Sequence, residues 1–62
     1  MIPVLIHTRS RGILTIELDG EDAEEWELKD TERVVLVLGK GKVTKAMVNL
    51  GEFIYATVGE DA

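Results

Sequence analysis

Between Arg33 and a Gly39-Lys40-Gly41-Lys42 turn, the chain runs through five consecutive apolar residues, Val34-Val35-Leu36-Val37-Leu38. A run this short does not by periodicity alone separate a buried helix from a strand. Its brevity, its three valines and its glycine boundary favour a strand covered on both faces. A chain of 62 residues buries only about 60% of the surface its unfolded form exposes. Covering two faces of one strand therefore asks for a sheet that wraps around it, or for a second subunit. Cysteine is absent, so neither a disulfide framework nor a thiolate zinc site adds to a small core. Packing and self-association are left to stabilise it.

The rest of the chain reads as short strands joined by turns. Ile2 to Thr8 is a first strand in which Ile2, Val4 and Ile6 share one face and Leu5 and His7 the other. The succession Val4-Leu5-Ile6 again suggests cover on both sides, and Pro3, which has no N–H to give a ladder, places the strand's start at a sheet edge. Arg9 to Gly12 forms the first turn, with Gly12 free to take positive φ. From Ile13 to Leu18 the alternation is clear: Leu14, Ile16 and Leu18 against Thr15 and Glu17. Asp19-Gly20 then reads as a hairpin turn. Glu21 to Lys29 is ambiguous. It holds good helix formers and a Glu25–Lys29 pair at i,i+4, yet Trp26 and Leu28 alternate with Glu25 and Glu27, and the strand is preferred. Val43 to Leu50 is open to the same two readings, and its β-branched content again favours a strand over a short helix capped by Thr44. Phe53 to Val58 closes the fold, and residues 59–62 read as a frayed tail. The expectation is one all-β domain over residues 1–62: a five- to six-stranded antiparallel meander forming a small barrel or curled sheet, with room for one short helical turn.

The formal net charge is −5, but it is distributed in blocks. Residues 17–32 hold Glu17, Asp19, Glu21, Asp22, Glu24, Glu25, Glu27, Asp30 and Glu32 against Lys29 alone. Residues 33–51 hold Arg33, Lys40, Lys42 and Lys45 with no acid, and residues 1–16 hold Arg9 and Arg11 with none. Such asymmetry orients a partner or a neighbouring subunit, and it equally describes a solvated acidic face opposite a mildly basic one. Glutamine is absent and asparagine occurs once, while Glu, Lys and Arg are plentiful; this usage resembles a thermophile's. No basic leader precedes an apolar segment, and no apolar run nears the ~20 residues of a membrane span. The expected setting is the cytoplasm or a virion, with no membrane partner.

Raw material for catalysis is scarce. His7 and Ser10 are the only histidine and the only serine, and nothing marks a third group to orient them. Asp19-Gly20-Glu21-Asp22 lacks the spacing of a calcium loop, and Gly39-Lys40-Gly41-Lys42 lacks that of a phosphate loop. No enzyme activity, cofactor or metal is expected. Lys40, Lys42 and Lys45 with Arg9 and Arg11 offer a salt-sensitive nucleic-acid contact. Glu21, Asp22, Glu24, Glu25 and Glu27 around Trp26 offer an acidic face of the kind that mimics nucleic acid toward a basic protein. Val4, Leu5, Ile6, Val35 and Val37, from the two doubly apolar strands, are the candidate self-association interface.

Leu5-Ile6-His7-Thr8-Arg9-Ser10-Arg11-Gly12 resembles the Leu-Ile-Leu-Thr-Arg-Arg-x-Gly opening of the carbon storage regulators, dimeric RNA-binding proteins of similar length. Val37-Leu38-Gly39 and Val48-Asn49 echo other pieces of that pattern. The middle of this chain is longer than the family's, and the Ala-Pro segment and basic strand that carry its RNA contacts have no counterpart, so the chain is not assigned to it. Gly41 to Val48 likewise looks like the lysine turn of biotinyl domains, without the glycines that surround that turn. The expectation taken from the residues is a non-enzymatic β module that self-associates, structural or regulatory, of a size common among viral and phage proteins. The alternatives are an RNA-binding small barrel and an acidic inhibitor.

Overall fold

The computed structural model describes residues 1–59; Glu60 to Ala62, read above as part of the tail, lie outside them. Six strands form in chain order: β1 (Ile2–Thr8), β2 (Ile13–Leu18), β3 (Glu27–Asp30), β4 (Val34–Leu38), β5 (Thr44–Asn49) and β6 (Phe53–Val58). One short helix, α1 (Gly20–Glu24), lies between β2 and β3, and a 3₁₀ turn (Lys40–Lys42) lies between β4 and β5. The strands make two antiparallel three-stranded sheets, ordered β2-β1-β6 and β3-β4-β5. The small all-β antiparallel fold is as expected, and so is a strand within 43–50, but β6 returns to pair with β1, so the strands do not run as one meander. No closed barrel forms; the two sheets pack face to face as a sandwich.

The strand alternation explains the sandwich. Val4, Ile6 and Leu18 from one sheet meet Val37 and Val48 from the other, and Ile16, Trp26, Ala46, Phe53 and Ala56 pack around them. Val4, Val35 and Val37 are fully buried and Ile6 nearly so. Each stabilises the fold by roughly 1.5–3 kcal/mol relative to leaving it exposed. This corrects the interface reading for four of its five residues. Val4, Ile6, Val35 and Val37 are covered by the opposite sheet of the same chain and have no surface to offer a second copy. Leu5 alone, half-buried on the outer side of β1, still faces outward.

Two further expectations change. The Asp19-Gly20 pair does not turn a hairpin. The Asp19 carboxylate accepts the Asp22 N–H at 2.9 Å and caps α1, because an Asp side chain satisfies a free helical N–H as well as it shapes a turn. The strand expected over 21–29 is consequently divided, with α1 first and β3 only from Glu27. β1, placed at an edge on the strength of Pro3, is central. Gly59 N–H donates to the Pro3 carbonyl at 2.8 Å, so the proline's backbone faces the end of β6. A residue's N–H and C=O leave a strand on the same side, and the missing donor therefore falls where the neighbouring strand finishes.

The ends of the sandwich are tied by short-range bonds. Buried Thr8 donates its hydroxyl to Gly12 O at 2.8 Å and accepts the Arg11 N–H at 3.1 Å, while Gly12 takes φ +71°. Thr31 closes the β3–β4 turn by donating to Val34 O at 2.9 Å and accepting the Val34 N–H at 3.0 Å. No helix among the described residues is long and apolar enough to cross a membrane.

Candidate interaction surface

The charge blocks of the sequence do not form separate faces in the fold. α1 packs against the Lys40–Lys42 turn, which brings the acidic and basic segments together. Lys45 Nζ lies 3.0 Å from Asp22 Oδ2, Lys40 Nζ 3.4 Å from Glu21 Oε2, and Lys42 Nζ 4.0 Å from Glu27 Oε1. Three lysines of the candidate nucleic-acid contact are thus paired with three carboxylates of the candidate acidic face. Glu24 and Glu25 remain at the surface beside them. The two outer pairs are solvent-exposed and contribute little. The Asp22 pair is different in kind. Its carboxylate also accepts the Lys40 N–H at 2.9 Å, and the residue is 9% exposed. The Lys45 ammonium first, and the Lys40 N–H second, hold the Asp22 carboxyl below its ordinary pKa.

Arg9 and Arg11 lie at the other end of the sandwich from these lysines. They belong to the turn that follows β1, and a seven-residue strand spans about 20 Å. There Glu52 bridges two turns. It accepts the Ser10 N–H at 3.1 Å and the Ser10 hydroxyl, while Arg9 N–H donates to the Glu52 carbonyl at 2.9 Å. The Ser10 hydroxyl and N–H, with the nearby arginines, lower the Glu52 pKa. The five cations therefore divide into two groups, and each has carboxylates beside it.

The chemistry-bearing side chains are engaged separately. His7 stacks on Tyr55 with ring centroids 4.0 Å apart and 12° between planes, while Ser10 bonds to Glu52. Asp19 is occupied as a helix cap. Among the described residues, no three His, Cys, Asp or Glu side chains gather as a metal site requires.

The outer side of the β2-β1-β6 sheet is the other distinctive surface. Its register places His7 between Ile13 and Tyr55, and Leu5 between Thr15 and Thr57. Neither β1 nor β6 contains Asp, Glu, Lys or Arg, and β2 contains only Glu17. On this side Ile13 is 56% exposed and Tyr55 50%; Val58, paired with Val4, and Ile54, at the bulge, are 44% and 49% exposed along the β6 edge. The sequence pointed to Leu5 here but not to Ile13 or Tyr55. Their alternation in β2 and β6 reads like that of any half-buried strand, and only the pairing order shows which of them the second sheet leaves uncovered.

No family model, curated protein or solved structure matches this chain.

Proposed function

We propose that this protein is a non-enzymatic β interaction module that self-associates through its β2-β1-β6 sheet. The observation that carries the reading is the near absence of formal charge on that sheet, combined with Ile13 and Tyr55 about half exposed on its outer face and Ile54 and Val58 about half exposed along its β6 edge. In a chain of which 31% is charged, an apolar sheet surface open to water is the surface that gains most from being covered. The charged residues act differently. They are spent largely on one another, in the α1–turn layer and around Glu52, and so they keep the rest of the surface soluble and hold the loops. A small module of this kind serves as a structural or regulatory subunit whose own assembly is its activity.

Native mass spectrometry of the full chain, purified without nuclease treatment, tests this directly. A single oligomeric mass free of nucleic acid is expected. A monomer at concentrations of about 10 μM and above, an ordinary working range for a stable homo-oligomer, would overturn it. Co-purifying nucleic acid whose affinity falls steeply with salt would replace it with the nucleic-acid reading.

A further inference from the structure

Among the described residues, β6 is an outer strand of its sheet and pairs on one side only, with β1. The direction of its free hydrogen-bonding groups follows from the register. Gly59 N–H donates to Pro3 O, so Pro3 and Leu5 turn their backbone groups toward β6, and Leu5–Thr57 and His7–Tyr55 are the pairs that exchange hydrogen bonds. By alternation, the N–H and C=O of Ala56 and Val58 point away from β1, out of the sheet.

Proteins normally blunt such an edge with charge, proline or a bulge that turns the strand aside. The other outer strands here have that protection in part: β3 is Glu-Leu-Lys-Asp, β5 contains Lys45 and β2 contains Glu17. β6 is Phe-Ile-Tyr-Ala-Thr-Val, with no charge, proline or glycine. Its one irregularity, a bulge in its pairing with β1, lies at the Thr8 end and leaves the 55–58 segment regular.

We propose that β6 pairs antiparallel with β6 of a second copy of this chain, about a two-fold axis at Ala56, joining two three-stranded sheets into one of six strands. The proposal rests on the self-association reading above and places a contact at the β6 edge of that sheet. The strand is self-complementary in that register. Ala56 meets the partner's Ala56 as a pair exchanging both hydrogen bonds, and its small side chain leaves room at the axis. Tyr55 falls opposite the partner's Thr57, and Ile54, at the bulge that ends the regular stretch, comes beside the partner's Val58. Aliphatic therefore meets aliphatic and aromatic meets β-branched, the combinations that stabilise cross-strand neighbours. No charged residue lies within the paired strand Phe53–Val58. An isologous contact of this kind closes at two subunits, consistent with the symmetry of most small oligomers. A foreign strand would find nothing on β6 to select it by charge, whereas a second copy brings the matching register with it.

The test compares the full-length chain with Ala56→Pro and Val58→Lys in native mass spectrometry and amide hydrogen exchange. Proline at 56 loses an N–H that faces the open edge and not β1, so the ladder with β1 is kept, while its ring blocks the approaching strand. Lysine at 58 places two charges in the new pairing. The unmodified chain is expected as a dimer in which the Ala56 N–H is protected. Each variant is expected to weaken dimerisation by about 100-fold or more, some 2.7 kcal/mol, with an unchanged far-ultraviolet spectrum. If Ala56→Pro does not fold, Val58→Lys carries the comparison. Dimers that persist in the folded variants, with fast exchange at Ala56 in the unmodified chain, would overturn the β6 pairing and leave self-association standing. A monomeric unmodified chain would overturn both.

Discussion

Lys45 Nζ lies 3.0 Å from Asp22 Oδ2, and that contact joins β5 to the only α-helix among the described residues. Asp22 is the point at which three segments meet. Asp19 caps its N–H, Lys40 N–H donates to its carboxylate and Lys45 pairs with it. A long acidic block and a long basic block in the sequence are thereby folded onto each other. The fold uses Asp22 as an internal anchor, whereas its neighbours Glu21 and Glu24 stay in water.

Acid should loosen this anchor. In the folded chain the Asp22 carboxyl is held below its ordinary value, chiefly by Lys45 and then by the Lys40 N–H. The unfolded chain takes up that proton at about pH 4, before the folded one does. The stability contributed is therefore fully present above about pH 4 and is lost as the pH falls through the lower, folded value. Glu52, also lowered by its bonds to Ser10, acts in the same direction. Thermal melts from pH 7 to pH 2 should show the midpoint dropping below pH 4. Asp22→Asn should lie below the unmodified chain at pH 7 and approach it at pH 2. A constant difference between the two across that range would mean that the charge of Asp22 is immaterial.

Gly39 is held to glycine by the same carboxylate. A Cβ there would stand 2.6 Å from Asp22 Oδ1, 2.8 Å from its Cγ and 2.9 Å from Lys45 Cε. Those atoms are already fixed by the contacts just described, so room is made only by breaking them. Gly39→Ala should cost about 1–3 kcal/mol, measured by urea unfolding. The same change in an Asp22→Ala background should cost much less, since the two closest obstructing atoms are then gone and the Lys45 side chain, no longer held by its ion pair, is free to swing aside.

What was legible in the sequence followed the range of the signal. Val34–Leu38 as a strand, the Gly12 turn, and the alternation of Ile13–Leu18 are local patterns, and each appears in the structure. The helix at Gly20–Glu24 was missed because Asp19-Gly20 carries two local meanings, and capping by Asp19 prevailed. Pro3 was misplaced because the cost of a missing N–H depends on where the neighbouring strand ends, which no residue near Pro3 encodes. The charge pattern was visible in full, but its outcome was not. Whether Lys40, Lys42 and Lys45 meet phosphates or Glu21, Glu27 and Asp22 depends on where α1 docks.

Lys42 adopts φ +60°, the only non-glycine among the described residues with positive φ. The left-handed region brings the Cβ against the carbonyl and costs about 1–2 kcal/mol. Its ion pair with Glu27, at 4.0 Å between exposed side chains, returns little of that. Lys42→Gly should therefore raise stability by up to about 1 kcal/mol, and Lys42→Val should lower it. A Lys42→Gly variant less stable than the unmodified chain would show that the Lys42 side chain contributes more than this geometry allows.

Leu5 and Val37 separate the core of the fold from its outer surface. Val37 is fully buried between the sheets, where a carboxylate has no partner. Val37→Asp should leave a chain that does not fold, because an unpaired buried charge costs more than the ~5–15 kcal/mol that stabilises most small domains. Val37→Ala should cost roughly 2 kcal/mol and keep the fold. Leu5 is half-buried among Thr15, Thr57 and His7 on the outer side of β1, and a polar residue there keeps access to water. Leu5→Asp should retain the native far-ultraviolet spectrum with a loss of about 1–2 kcal/mol, while altering the assembled mass if the outer face takes part in association. A folded Val37→Asp protein would mean that the two sheets do not close on each other as they do here.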